Sequence, residues 1–461
     1  MLGAGAAGLM AGRLLAAASA RVVVLEARAR VGGRIYTEHV SSPHSPQMTA
    51  DMPVELGAEF VHGLPPMSWS LFREAGIAVR EREGVHLRFV DGLLQDGRRG
   101  PDAGDFIERM QHWFNAQPVG TDLSFAQYLA QAHGQESAKR AALAYVQGFN
   151  AADANRISVA ALLAQQRAED AIAGDRIFHL SAGYDVLPLY LAGRLRDAGG
   201  VLRCEHVVQR LEWKTGQVCC RGVRSDGAAF AITGRQAIVT LPLGVLQAGT
   251  VRFAPEPHGV LRSAARLAMG LAMRFTLVFR EPFWQSAANR FSDATDGGSR
   301  PLGFLFAPGM TPPTWWTPAP ESWPTITGWL GGPQVEAARR SWLQDGLVTL
   351  ATAFGLPAGH VRQLLVSAHY HDWLADTLSL GAYSYVPAGR LDASQQLTVP
   401  IEQTLFFAGE HANTESEWGT VHGALRSGIR AAMQVLQAPS QVRPTAKLLY
   451  SYSDDADESV Q

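Results

Sequence analysis

The 461-residue chain is 47% hydrophobic and 18% charged, a globular composition in a chain too long for one compact core, so two large domains are expected. Its formal net charge of −2 provides no overall basic field for nucleic acid or an anionic membrane, and neither is expected as a partner. The three cysteines Cys204, Cys219 and Cys220 form no disulfide framework, no stretch reaches the roughly 18 apolar residues of a membrane span, and the Ala-rich opening lacks the basic flank of a signal peptide, so a cytoplasmic location is expected.

Gly3-Ala-Gly5-Ala-Ala-Gly8 is a G-x-G-x-x-G that opens a predicted helix running to about Ala18. Gly3 permits a tight turn, Gly5 lets a diphosphate reach the backbone, and Gly8 lets helix and strand pack closely. Free amides at the helix start would then face the phosphates. Arg21 to Leu25 is a β-branched run suited to a buried parallel strand. Glu26 ends it 18 residues after Gly8, close to the ~20 expected for a carboxylate that accepts from ribose hydroxyls and disfavours a 2′-phosphate. FAD or NAD is therefore expected over NADP. Arg28 and Arg34 flank the Gly32-Gly33 loop just beyond, placed to neutralise a buried diphosphate, and this favours FAD. Only Met1 and Leu2 precede Gly3, whereas this fold uses a central strand of about five residues there. The sheet is thus expected to lose its middle strand, with the natural start upstream or FAD held poorly.

After about Pro65 three-to-four-residue apolar spacing predicts helices over Phe106–Phe114, Phe125–His133 and Ser137–Val146. From Gly183 strand character returns. Val218–Val223, the turn Asp226-Gly227 and Ala229–Ile232 form a hairpin pattern, followed by a buried strand at Ala237–Leu241. Arg274–Phe279 begins a second excursion, with a Pro- and Trp-rich loop (Thr311 to Trp323) and a helical segment (Gln334 to Phe354). A strand at Thr404–Ala408 and a helix from Val421 to Leu436 come last, before a polar, acidic tail expected to be disordered.

The run Leu25–Arg34 resembles the second FAD motif of flavin amine oxidases, the group of monoamine, polyamine and spermine oxidases, L-amino-acid oxidases and flavin-dependent histone lysine demethylases. Val54–Gly63 is similar to the stretch beside the flavin in the polyamine oxidase branch. Ser181–Tyr184 and Thr240–Leu246 match further landmarks, and Leu405–His411 with Thr420–Leu425 resemble the C-terminal flavin motif, closest to its spermine oxidase and demethylase form. With the alternation of strand and helix texture, this implies an α/β fold. A discontinuous Rossmann-like FAD-binding domain (residues 1–75, 183–255 and 366–437) carries an inserted α+β substrate-binding domain (76–182 and 256–365), and 438–461 is the tail.

The resemblance implies roles by position. Gly3, Gly5, Ala6, Ala7 and Gly8 would cradle the diphosphate. Glu26, with Ala27 beside it, would hold the adenosine ribose, and Arg28, Gly33 and Arg34 would sit near the diphosphate. Leu56, Gly57, Ala58 and Glu59 would line the flavin, Val208 would meet adenine through its backbone, and Gly409 and Glu410 would bond the ribityl–phosphate region. Thr420 and Val421 would start a helix aimed at the flavin's pyrimidine edge, where reduced flavin carries negative charge.

On the substrate side Tyr383 falls where the family has one half of an aromatic sandwich. Thr420 stands at the other half, which leaves the sandwich open as in spermine oxidases and demethylases and favours a longer or bulkier amine. Ala382 replaces the cysteine that binds flavin covalently in monoamine oxidases, so FAD is expected to be non-covalent. His62 matches a histidine near the substrate of polyamine oxidases, and Arg274 takes the place of the family's active-site lysine, which holds a water against flavin N5. Arg274 is expected to preserve flavin binding and slow reoxidation. Glu59 and Glu417 could attract a polycation, with Glu417 read as a solvated surface charge. The pair His369 and His371 has no third ligand at a metal spacing, so no metal is expected. The expected reaction is oxidation of a secondary amine or polyamine, with oxygen as acceptor and hydrogen peroxide as product. An L-amino-acid oxidase using Arg274 as carboxylate clamp, or a degenerate flavoprotein, are the alternatives.

Overall fold

The computed structural model describes residues 1–41, 51–97, 103–118, 120–291 and 300–437. One layer is a parallel sheet built from distant short strands. Val23–Leu25 pairs with Val201–Arg203, and Ala237–Val239 pairs with Leu405–Phe407. Leu2 joins the two pairs, bridging to Leu25 on one side and Val239 on the other.

The middle place in the sheet is therefore filled, which corrects the expectation that it is lost. Leu2 N donates to Ile238 O at 3.0 Å and Gly3 N to Leu25 O at 2.8 Å, while Thr240 N and Leu25 N donate back to Leu2 O and Met1 O. The reason is length: each neighbouring strand is only 3 residues, about 10 Å at ~3.3 Å per residue. Met1 to Gly3 spans that, and Leu2 is only 1% exposed.

The helix Ala6–Ala17 starts at Gly5 with no side chain capping it. Alanine and leucine, strong helix formers, carry it on, and it buries Leu9, Met10 and Ala11. Against it pack Val186–Asp197 and Val421–Gln437 in one core with Leu187, Leu191, Leu195, Leu425 and Ala431. Small residues set the approach: a Cβ on Gly428 would lie 2.3 Å from Ala7 O. A four-stranded sheet, in the order Ala229–Gly234, Gln217–Arg224, His206–Lys214, Arg252–Ala254, packs on the opposite face of the parallel sheet, where Leu211, Val218 and Phe253 share a core with Leu2, Leu25 and Phe407.

The other side is a seven-stranded sheet, ordered Leu365–Tyr370, Ala272–Phe279, Thr325–Gly331, Thr314–Trp316, Leu302–Phe306, Val85–Val90, Leu93–Asp96. Leu302–Phe306 and Val85–Val90 run parallel; the other pairs are antiparallel. Phe275, Leu277, Phe279, Trp315 and Ile326 fill its core. Four helices (Ala103–Asn115, Phe125–Gln131, Glu136–Asn150, Val159–Asp170) form a separate core with Phe106, Phe125, Tyr128 and Leu163. The whole is a mixed α/β architecture.

Local differences from the sequence reading have local causes. The Thr311–Trp323 loop contains a strand, Thr314–Trp316, because it finds partners in Leu302–Phe306 and Thr325–Gly331. The helical segment from Gln334 breaks into Val335–Ala338 and Trp342–Phe354, with Ser341 Oγ donating to Asp345 at the second start. The expected tail, 438–461, lies outside the described residues. Among the described residues no helix is long and apolar enough to cross a membrane.

Candidate functional site

The glycine turn is closed to side chains at Gly3 and Gly8 and open at Gly5. A Cβ on Gly3 would lie 2.7 Å from Thr240 Oγ1 and one on Gly8 2.1 Å from Gly3 O, while at Gly5 the nearest atom is Gly32 O at 3.9 Å. The Gly32-Gly33 turn, with φ of 99° and 60°, folds back onto it: Gly32 N donates to Ala4 O at 2.9 Å, and a Cβ on Gly33 would lie 3.5 Å from Gly5 Cα. Ala6 and Ala7 form the buried first turn of the uncapped helix. This bare backbone and helix start fit a diphosphate.

Glu26 is buried and accepts from Ala4 N at 2.8 Å and Arg28 N at 2.9 Å, which fixes the carboxyl at the strand's end beside half-buried Ala27. Val208 sits where the strand register slips between Val208 and Arg210, at a bulge that interrupts the ladder.

The two arginines both find carboxylates far along the chain. Arg28 pairs with Asp376 at 2.9 Å and donates to Ser379 Oγ at 2.9 Å. Arg34 pairs with Glu410 at 2.9 Å and donates to Ala382 O at 2.8 Å. Gly409, at φ 139°, makes the bend that turns Glu410 inward. Glu410 then accepts from Ser384 Oγ at 2.5 Å and Gly419 N at 3.0 Å. Burial pushes its carboxyl up, but Arg34, His411 and Ser384 outweigh this and hold it below the ordinary carboxylate value. One carboxylate thus ties Arg34 to the backbone beside Tyr383 and Thr420.

The turn at Leu56–Glu59 packs against this cradle. Leu56 N donates to Tyr36 O, Leu56 O accepts the Trp373 indole at 2.7 Å, and Ala58 N donates to Arg34 O at 3.1 Å. A Cβ on Gly57 would lie 1.9 Å from Arg34 O. Arg274, buried, donates to Gly57 O at 2.7 Å and pairs with Glu59. Glu59 also accepts the Trp316 indole at 2.9 Å and meets Arg82 at 3.5 Å. Burial raises its pKa, yet Arg274 and Arg82 hold it lowered overall.

Tyr383 O–H donates to Phe149 O at 2.6 Å, and its ring lies over Gly419. Burial pushes its phenol well up. The Phe149 ring meets His62 edge-on at 5.4 Å, and Phe60 and Trp316 continue the aromatic wall. Burial pushes His62 down to about 4 and His422 to about 3, the latter also because His62 and Arg426 are near. Thr420 Oγ1 donates to Glu417 O and accepts from Gly423 N at 3.0 Å, so it caps the helix that begins at Val421.

Glu417 is not a solvated charge, as its sequence setting implied. It is buried, accepts from Asn413 Nδ2 at 3.1 Å and pairs with Arg426 at 3.0 Å, and burial raises its pKa. His369 and His371 turn to separate carboxylates, Glu38 and Asp376. Among the described residues no group of three or more metal-ligand side chains occurs.

Asp376, Ser384, Trp373, Trp316, Arg82 and Phe149 join the site with no signal that a single sequence offers. Together the elements set a bare glycine turn and an uncapped helix start at one end of the Arg28–Asp376 and Arg34–Glu410 ties, and an aromatic cluster with two histidines lowered by burial at the other. An aromatic recess of that kind desolvates an amine, which favours its neutral form, while its rings still accept the cation on entry.

Residues 6–436 match a family model described as flavin containing amine oxidoreductase. A protein of Oryza sativa subsp. japonica named lysine-specific histone demethylase 1 homolog 2 is 28% identical over 487 residues, covering 95% of this chain and 57% of that protein. Polyamine oxidase 2 of Arabidopsis thaliana is 28% identical over 471 residues, covering 95% of this chain and 88% of that protein. Against the two rice demethylase homologs the match takes in 57% and 52% of their length. Among solved structures, a putrescine oxidase bound to putrescine has a TM-score of 0.76 at 19% identity, covering 94% of this chain and 98% of that one. A cyclohexylamine oxidase from Brevibacterium oxydans IH-35A has a TM-score of 0.74 at 20% identity, covering 94% and 97%. At these identities the likeness is one of fold.

Proposed function

The chain belongs to the flavin containing amine oxidoreductase family, and on that premise we propose that it oxidises a secondary amine or polyamine with oxygen as acceptor, giving an imine that hydrolyses to aldehyde and amine, and hydrogen peroxide. FAD is the cofactor of this family, and when bound it supplies the two-electron acceptor for a hydride from the amine's α-carbon. We assign its diphosphate to Gly3, Gly5, Ala6, Ala7 and Gly8 with Arg28, Gly33 and Arg34, its ribose to Glu26 and Ala27, and its adenine to the Val208 bulge. Leu56 to Glu59, Gly409, Glu410, Thr420 and Val421 take the flavin end. Ala382 has no nucleophile to attach it.

In this reading Tyr383, Thr420, His62 and Arg274 shape the substrate side. Tyr383, fixed by Phe149 O, is a flat wall for the amine's chain. His62, kept neutral by burial, does not repel an incoming ammonium. Arg274 is spoken for at both terminal nitrogens by Gly57 O and Glu59, which disfavours it as a carboxylate clamp for amino acids. Its Nε is buried with no hydrogen-bond partner among the described residues. The FAD-binding body comprises 1–75, 183–255 and the chain to 437. Leu365–Tyr370 pairs with Ala272–Phe279, which supports counting it with the substrate body and starting the last FAD-binding segment after Tyr370.

The observation that carries the reading is Glu410, which joins Arg34, 376 residues away, to the backbone on either side of the aromatic recess. A peroxide-coupled screen of polyamines, monoamines and amino acids tests it. Turnover of polyamines or secondary amines is expected. Turnover of amino acids alone, or of none of the three classes by flavin-loaded protein, would reject it.

A further inference from the structure

Arg28 and Arg34 are tied to carboxylates, whereas the arginine between them, Arg30, is seated on a ring. Its guanidinium lies over Tyr36, 3.9 Å from the ring centroid. Its Nη1 donates to Val31 O at 3.2 Å and to Ile35 O at 3.0 Å. Those two carbonyls bracket the Gly32-Gly33-Arg34 turn, so Arg30 clamps the turn from both ends. Burial, with the Arg28 charge adding to it, lowers Arg30 to about 10, while Tyr36, Glu26 and Asp376 oppose the shift. A guanidinium drawn out of water in this way gains more from an aromatic face than an exposed one does.

Tyr36 has two further attachments. Its ring meets His371 edge-on, with centroids 5.6 Å apart and planes at 86°; His371 pairs with Asp376 at 2.6 Å, and Asp376 with Arg28. Its hydroxyl donates to one oxygen of Glu38 at 3.2 Å. The other Glu38 oxygen lies 2.9 Å from His369 Nδ1, and His369 Nε2 lies 2.9 Å from Ser367 Oγ. Ser367 and His369 stand on the edge strand Leu365–Tyr370, opposite Val278 and Thr276 of the strand that carries Arg274. Tyr36 is thus the crossing point of two contact chains, one from the arginines of the diphosphate loop and one to the edge of the seven-stranded sheet.

We propose that Tyr36 is a positioning residue for FAD: its ring seats Arg30 so that the Gly32-Gly33 turn keeps the shape that takes the diphosphate, and its hydroxyl, through Glu38 and His369, couples FAD loading to the strand Leu365–Tyr370. Such a coupling is reciprocal, so cofactor that steadies the turn also steadies the strand. The proposal rests on the diphosphate assignment above and is independent of which amine is oxidised.

Two measurements on the full chain test it: the rate of FAD release on dilution, followed by flavin fluorescence, and amide hydrogen exchange in Leu365–Tyr370 with and without FAD. In the parent, FAD loading is expected to slow exchange in that strand. Tyr36→Leu, which removes the seat, should release FAD at least about fivefold faster. Arg30→Met should do the same, and the double variant should be no faster than the faster single one, because both remove one contact. Tyr36→Phe keeps the ring and loses the hydroxyl, so release stays near the parent rate while the FAD-linked protection of the strand disappears. Glu38→Ala should give that same pattern from the other side of the bond. A Tyr36→Leu protein that melts earlier yet releases FAD at the parent rate has lost only packing and overturns the seat. FAD-linked protection that survives in both Tyr36→Phe and Glu38→Ala overturns the coupling. A parent that takes up no FAD overturns the diphosphate assignment and this proposal together.

Discussion

At the residue scale, Arg274, expected from the resemblance to take the place of the family's lysine, has a clear set of bonds in the structure. Arg274 and Glu59 are a desolvated pair, with side chains 5% and 11% exposed, so cutting one leaves the other charge stranded. Arg274→Ala should therefore cost about 3–5 kcal/mol in chemical unfolding, well beyond the loss of a surface arginine. Arg274→Lys keeps the charge, leaves a single nitrogen to serve Gly57 O and Glu59 and should speed flavin reoxidation in stopped-flow; an unchanged rate removes Arg274 from that step. How much of this was legible follows residue type. Gly3, Gly5, Gly8 and Glu26 announce themselves because phosphate and ribose demand bare backbone and a carboxylate at fixed spacing. The partners Asp376 and Ser384 do not, since an Asp or Ser in a loop is ordinary until the fold sets it against Arg28 or Glu410. Glu417 was misjudged for the same reason: its cation, Arg426, lies a helical turn into the next element.

At the element scale, the site depends on two helices meeting at small residues. Gly428 rests on Ala7 O, and a methyl group there would sit 2.3 Å from that oxygen, so Gly428→Ala must spread Val421–Gln437 from Ala6–Ala17. The expected penalty is about 1–3 kcal/mol, seen as a lower Tm together with a smaller flavin-loaded fraction; a Tm loss with full flavin loading would separate the packing from the cradle. Thr420 is the cap of the same helix, accepting from Gly423 N at 3.0 Å. Thr420→Ala should cost about 1 kcal/mol, and Thr420→Ser, which retains the acceptor oxygen, should recover most of it. Elements with strong local signals were legible: the alanine- and leucine-rich first helix, the hairpin around Asp226-Gly227, the last described helix. Thr314–Trp316 was not, because three residues amid prolines become a strand only through Leu302–Phe306 and Thr325–Gly331 on either side. Nor was the filled centre of the parallel sheet, since Met1 and Leu2 are too few to show periodicity and are recognisable as a strand position only from their bonds to Leu25 and Ile238.

At the scale of the whole molecule, buried ionisable groups on both sides of the recess make stability depend on pH in two opposed ways. Burial lowers His62 and His411 to about 4 and His422 to about 3. The unfolded chain takes up those protons near 6.5, so the stability they contribute is complete above about 6.5 and is lost as pH falls towards 4. Glu55 is the reverse. Burial raises it to about 8 against a reference of 4.5, so its contribution is complete below 4.5 and is lost as pH rises through 8. Tm should peak between these limits. Glu55→Gln should flatten the alkaline limb and His422→Gln the acid limb; matching profiles for variant and parent would contradict the assignment. The larger design is that both ends of the described chain converge, with Met1 to Arg34 forming one wall and Asp376 to Val421 the other, joined by Arg28–Asp376 and Arg34–Glu410. The most direct test of that convergence is the FAD released per chain on heat denaturation, after soaking in excess cofactor and desalting. The account predicts close to one FAD per chain in the parent and a marked fall in both Glu26→Ala and Glu410→Ala, changes at opposite ends of the sequence. A parent that emerges colourless, or variants that retain full flavin, would contradict it.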